Sequence, residues 1–373
     1  MSPRERFLET ILFGSPDKIP FEPGTPREST LKRWQKEGLS SPEKWFDVCC
    51  TYTGIPPDER NSTIYLNVSF RMNPMFEEKI LEHKDGHYII QDWMGNITEI
   101  SDQYDPSYIR HAKDFVTRKW HKFPVENMND FEEMKKRYIP DDPVRYPSNS
   151  DNEFIKLKQR RQLTTIVIPG LFWQLREWCG FEPLCMMFID NPEFVREMLS
   201  FWGNFVSAVM KRVLNARILD RIIINEDMAY KEKSMISPEM ARNFLLPVWA
   251  KWAQEARNAD VQIIEIDSDG CVDELIPVWI DAGINCCSPM EVVAGTDLNK
   301  LRHKFGKKMA FRGGINKQCI AKGGESLQAE LNRLKPVIQS GGYIPGCDHA
   351  VPPDVSWQNF LEYCKLLAKL TGW

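Results

Sequence analysis

From about residue 160 onward the chain alternates short apolar runs with longer stretches in which apolar residues recur at helical spacing. The run 164–168 comes first, followed by helical periodicity across 182–214. Arg221-Ile222-Ile223-Ile224 then ends at Asn225-Glu226-Asp227, and Ser237-Pro238-Glu239 offers an N-cap serine with proline at the first helical position. The run 261–266 ends at Asp267-Ser268-Asp269-Gly270, the run 284–287 at Ser288-Pro289-Met290-Glu291, and the run 309–312 at Gly313-Gly314-Ile315-Asn316. A helix is predicted from about Glu325, and the last run, Tyr343-Ile344, opens onto Pro345-Gly346-Cys347-Asp348-His349. Strand, polar corner and helix in repetition indicate a parallel sheet buried on both faces, and no GxGxxG turn marks an open dinucleotide-binding sheet. The predicted fold class is α/β, a (β/α)8 TIM barrel with an elaborated N-terminal region, in which reactive groups gather where strands end.

The first 160 residues are less regular. They read as N-terminal helices, a first strand and an inserted β-hairpin, in which the alternating run 87–93 meets 97–100 across the turn signal Met94-Gly95-Asn96. The polar, proline-bearing stretch 140–152 reads as a loop. With no internal repeat or low-complexity tract, residues 1–373 are expected to form a single barrel domain. Net charge is −4, from 48 basic and 52 acidic residues, and no basic block suggests a nucleic-acid partner. The opening residues carry charges throughout, and no run approaches about 18 apolar residues, so a soluble, cytoplasmic protein is expected. Ten cysteines occur without a CxxC pair and read mostly as small buried hydrophobes.

The corners hold the candidate chemistry. Glu265, Asp267 and Asp269 share strand parity, so they point to one side with Glu265 deepest. Three clustered acids require a cation, a shared proton or an arginine partner; the plainer reading makes Asp267 a turn cap and Asp269-Gly270 a bend. Glu226 and Asp227 form an acid pair suited to proton transfer or substrate binding, or else pair with Lys231 or Lys233. Cys347 and His349 offer a thiolate and an imidazole for a zinc ion, with oxygen from Asp267 or Glu265. His349 is equally a donor to substrate oxygen, oriented by Asp348 or Asp354, with Cys347 merely packing. Phe172 and Trp173 wall a pocket with Arg176 at its polar edge, or belong to the core. Asp227, Glu291 and Arg312 are further substrate-binding candidates. His83, His87, His111, His121 and His303 read as solvated.

The stretches 236–247 (ISPEMARNFLLP), 267–298, 311–316 (FRGGIN) and 341–360 (GGYIPGCDHAVPPDVSWQNF) together resemble the uroporphyrinogen decarboxylase superfamily, which also contains cobalamin-linked methyltransferases. The resemblance implies a (β/α)8 barrel. The decarboxylases' arginine-bearing opening motif is replaced here by Glu22-Pro23-Gly24-Thr25-Pro26-Arg27-Glu28, and nothing matches their Phe-Ser-Asp-Ile type motif. Where thiol-activating methyltransferases place a zinc-binding His-x-Cys pair and a later Cys, this chain has Asp267, Asp269 and Cys347, which implies a harder, oxygen-richer shell for any metal. Corners reading Glu-Asp-Met and Asp-Ser-Asp-Gly are similar to those of the first methyltransferases of anaerobic O-demethylation. The resemblance implies transfer of a methyl group from a methoxylated aromatic, or another methylated small molecule, to cob(I)alamin on a separate corrinoid protein. In that reading His349 or Glu226 protonates the leaving oxygen, and Asp267 and Asp269 hold the donor or a metal. A decarboxylase or lyase using Arg312, Arg176 and Lys231, and a non-catalytic ligand-binding barrel, are the alternatives.

Overall fold

A computed structural model describes residues 1–106, 110 and 116–373; His111 lies outside the described residues. The chain divides into two units, one of residues 1–66, 151–168 and 213–373, the other of residues 67–150 and 169–212.

The first unit is built on a seven-stranded sheet. Its strands are β1 (Thr63–Tyr65), β6 (Leu163–Pro169), β7 (Arg221–Asn225), β8 (Ile263–Asp267), β9 (Cys286–Ser288), β10 (Ala310–Ile315) and β11 (Tyr343–Cys347), in that spatial order. The ladders β1–β6, β7–β8, β8–β9, β9–β10 and β10–β11 are parallel. Each predicted run from 164 onward coincides with one of these strands, because continuous Ile, Val and Leu suit a strand covered on both faces. β10 runs farther than its apolar run, through Gly313 and Gly314 to Ile315. Both glycines have positive φ, and a Cβ on Gly313 would stand 2.0 Å from the Pro289 carbonyl oxygen. That close approach lets Gly314 N–H donate to the same oxygen at 3.0 Å, and it explains the glycine pair in FRGGIN.

Residues 20–26 run beside β11. Pro26 forms a parallel bridge with Val351, and Cys347 N–H donates to the Pro23 carbonyl at 3.4 Å. Gly346 makes this possible, since a Cβ there would lie 2.4 Å from the Glu22 carbonyl oxygen. At the other end of the sheet, the helix Pro3–Ile11, capped by Ser2 and Glu5 in a reciprocal box, packs Phe7 and Ile11 onto Leu163, Ile263, Cys286, Ala310 and Ile344. These are residues at or near the strand N-termini. The helix therefore seals that end of the sheet, and the polar corners stand at the opposite, C-terminal end.

The second unit carries an antiparallel sheet of β2 (Lys79–Lys84), β3 (His87–Gln91), β4 (Ile97–Ser101) and β5 (Lys119–Lys122) in sequential order. β3 and β4 are the predicted hairpin, with Gly95 at positive φ in the turn. The helical stretch expected across 182–214 is broken into Phe181–Asp190 and Pro192–Asn215, after a preceding helix Leu171–Cys179. Pro192 has no N–H to continue a helix and starts a new one instead. The expected loop 140–152 is partly helical, since Ser150–Leu157 forms a helix. No helix among the described residues is long and apolar enough to cross a membrane.

Gly346→Ala should displace residues 22–24 from β11 and cost about 1–3 kcal/mol of stability, the usual penalty for overpacking. The midpoint of urea unfolding checks it.

Candidate active site

Glu265, in β8, is fully buried, as strand parity required of the deepest acid. Its Oε2 accepts from Arg221 Nη1 at 3.0 Å, and its Oε1 accepts from Ser288 Oγ at 2.7 Å and from Arg312 Nη1. Arg221 also donates from Nε to Thr165 Oγ1 at 3.1 Å, and Arg312 gives Nε and Nη2 to Glu22 Oε2 at 3.1 and 2.5 Å. The phenyl ring of Phe7 lies under both guanidiniums, 4.8 Å from that of Arg221 and 5.6 Å from that of Arg312. Burial works to raise the Glu265 carboxyl, but Arg312 and Arg221 together hold it below the usual carboxylate range. The counter-charge demanded by the acid cluster is thus supplied by arginine. Arg221 and Glu22 were missed from the sequence, Arg221 because it opens an otherwise apolar run and Glu22 because it lies in an irregular segment.

Asp267, two residues on, is half-buried at the strand end, in register with Asn225 and Ser288. Burial, then the neighbouring charges of Glu265 and Asp269, push its carboxyl up to about 7. Asp269, at the rim, accepts from His349 Nε2 at 2.9 Å, and that hydrogen bond raises the imidazole above its ordinary value. His349 Nδ1 is buried without a partner. Asp269, from a different strand end, therefore orients His349. Asp348 is occupied elsewhere, accepting from the N–H groups of Val292 and Lys317 at 3.0 Å each and so stapling two loops together.

Asp267, His349, Glu265, Arg312 and Cys347 line one cavity of about 580 Å³, with Ser288, Ile223 and Glu22. Its aromatic walls are Phe21, Trp45, Phe46 and Tyr65. Phe21 stacks on Phe46 with centroids 6.3 Å apart, and Trp45 tilts against Phe46 at 5.2 Å. All these residues belong to the first unit. Their signal in the sequence was aromatic density in the irregular N-terminal region, which carries no periodicity to assign it.

Other expected site residues stand elsewhere. Phe172 is fully buried and stacked on Phe188 in the second unit, and Trp173 lies beneath the Arg176 guanidinium at 4.6 Å. None of the three is among the residues lining this cavity, so Phe172 and Trp173 do not form its wall. Glu226 is fully buried and accepts from the Trp249 indole Nε1 at 2.7 Å, away from the cavity lining, which removes it as a proton donor there. Asp227 holds a positive φ beside it and adds to the negative field on Asp267. Glu291 binds Lys317 Nζ at 2.6 Å and the Gly270 N–H at 3.1 Å, which braces the Asp269-Gly270 bend.

The donors expected to hold zinc do not fit it. Glu265 is saturated by two arginines and a serine, His349 Nε2 is engaged by Asp269, and burial pushes the Cys347 thiol up to about 12. No group of three or more His, Cys, Asp or Glu among the described residues is arranged to hold a metal ion.

The sequence model of the uroporphyrinogen decarboxylase (URO-D) family matches residues 175–369, more than half of the chain. The chain belongs to that family. Among solved structures, a methyltransferase from Methanosarcina mazei is similar at a TM-score of 0.59 and 13% identity, over 99% of this chain and 98% of that one. At this identity the likeness is one of fold. A B12-independent methionine synthase from Shewanella sp. W3-18-1 matches at a TM-score of 0.38 and 13% identity, over 60% of this chain and 65% of that one. A search of curated proteins returned no match.

Arg221→Met should cost about 3–5 kcal/mol, the range for removing one partner of a buried pair, because Glu265 keeps its charge with one arginine fewer. Adding Glu265→Gln should recover part of that loss, and chemical denaturation of both variants measures it. A second expectation concerns pH. The folded state raises the Asp267 carboxyl from 3.8 to about 7, so its protonated form is favoured. The stability tied to that proton is complete below the unfolded value and is lost as pH rises through the folded one. Between about pH 4 and pH 7 wild type should lose stability that Asp267→Asn keeps, as thermal unfolding across that range will read.

Proposed function

We propose that this chain is a cytoplasmic methyltransferase that moves a methyl group from a methoxylated aromatic, or another methylated small molecule, to cob(I)alamin carried by a separate corrinoid protein. The observation that carries the reading is a single cavity joining aromatic walls to a carboxyl, Asp267, that keeps its proton near neutral pH. An aryl methyl ether loses its methyl group to a nucleophile only when the departing oxygen is protonated or otherwise stabilised. As the acceptor forms a bond to the methyl carbon, the C–O electron pair passes to oxygen, and Asp267 delivers the proton that neutralises it. Asp267 suits this role better than His349, whose Nε2 is held by Asp269 and whose Nδ1 is enclosed. The carboxylate of Asp269, beside Asp267, helps hold its proton. The corrinoid supplies the methyl acceptor, and the open strand ends give it an approach.

The methyltransferase likeness in fold supports this reading, as does the replacement of the decarboxylases' arginine-bearing motif by Glu22 and its neighbours. We also take the curled sheet as a (β/α)8 barrel, with residues 20–26 beside β11 as its remaining strand. Decarboxylation fits less well, because Arg312 is already shared between Glu22 and Glu265 and offers no spare charge to a substrate carboxylate.

Purified protein mixed with reduced cobalamin or a corrinoid protein and a panel of methoxylated aromatics should convert cob(I)alamin to methylcobalamin, followed by absorbance. The rate should fall as pH rises through about 7, and Asp267→Asn should lower it by about 10²–10⁴-fold, the usual contribution of a general acid. Carbon dioxide release from candidate acids, with no methyl transfer to cobalamin from any methylated compound, would turn the assignment to a decarboxylase.

A further inference from the structure

We propose that the cavity selects an uncharged methoxylated ring and that Glu22 sets this selectivity by cancelling the charge of Arg312. The inference rests on the methyl-transfer reading and adds to it the charge class of the methyl donor.

The charges on the cavity floor are matched within hydrogen-bond reach. Arg312 gives two of its nitrogens to Glu22 and the third to Glu265. The remaining oxygen of Glu265 is taken by Arg221, and His349 is paired with Asp269. A carboxylate on the ligand would meet no unmatched cation among the described cavity residues. It would lose its hydration beside Glu22 and Glu265 with nothing in return. An ammonium would meet Arg312 and His349, and Asp267, the one carboxyl not already paired among the described cavity residues, is the group needed to carry the proton. An uncharged ring has none of these costs, and the faces of Phe21, Trp45 and Phe46 supply flat apolar contact for it. The cavity's 580 Å³ falls within the roughly 300–1,000 Å³ usual for small-molecule sites.

Glu22 is the group on which the balance turns. It approaches Arg312 from residues 20–26 and occupies Nε and Nη2, the edge of the guanidinium that binds a carboxylate in two-pronged fashion. Removing its charge leaves Arg312 with Glu265 alone, while Glu265 keeps Arg221. One positive charge is then unmatched at the cavity wall.

The test is calorimetric binding of methoxyphenol, methoxybenzoate and methoxybenzylammonium to the full chain, with methyl transfer to cobalamin measured separately for the same three compounds. Wild type should bind methoxyphenol and hold both charged analogues at least about ten-fold more weakly, since either must be desolvated without a partner. Glu22→Gln, which keeps the shape of the side chain, should raise methoxybenzoate affinity about ten-fold through the released guanidinium edge. Glu22→Ala should do the same, and guards against a residual contact from the amide. Equal binding of a charged analogue by wild type, no binding of any ring, or no gain for methoxybenzoate in either variant would overturn the proposal. Methyl transfer from methoxybenzoate would likewise overturn it and leave the methyl-transfer reading intact. The expected binding order without any methyl transfer would do the reverse.

Discussion

A carboxylate buried inside a sheet is tolerated only if its charge is answered there, and the site depends on how Glu265 meets that requirement. Arg221 and Arg312, from β7 and β10, close on it from two sides while Ser288 supplies a neutral donor. Left unpaired, such a charge would cost several kcal/mol or force protonation. Because the two arginines come from strands on either side of β8, the arrangement also ties β7, β8 and β10 into one electrostatic unit. Glu22 extends the chain of charges to the irregular segment beside β11.

This unit sets the chemistry of the residue above it. Asp267 sits between Glu265 and Asp269, and burial together with the charges of those two carboxyls pushes its own carboxyl up to about 7. The same strand thus carries one carboxyl kept below its usual range and one pushed well above it, two residues apart. Environment divides two acids into different roles, a pattern by which one fold runs proton transfer near neutral pH.

The strands and corners of residues 160–373 were legible in the sequence because buried parallel strands are written as continuous apolar runs, and polar residues follow where they end. The shared face of Glu265 and Asp267 followed from parity. What the sequence did not disclose was partnership. Asp348 stands next to His349 in the chain, yet the imidazole bonds to Asp269, eighty positions away along the chain. Glu226 occupies a corner like the others but accepts from Trp249, and Asp227 after it takes a positive φ, a departure from strand geometry that period alone does not encode. The aromatic walls come from segments with neither period, which local pattern cannot place.

The plug formed by the helix Pro3–Ile11 has a kinetic side. Phe7 and Ile11 are made long before the apolar surface that covers them is complete, since it includes Ala310 and Ile344. Distant segments are further joined through Thr30 and Trp34, which donate to the carbonyls of Val351 and Val355 at 2.7 and 2.8 Å. The first unit therefore cannot complete its core until β11 has been made. Its folding is dominated by contacts of large sequence separation, and until β11 arrives the opening helix carries an uncovered apolar stripe.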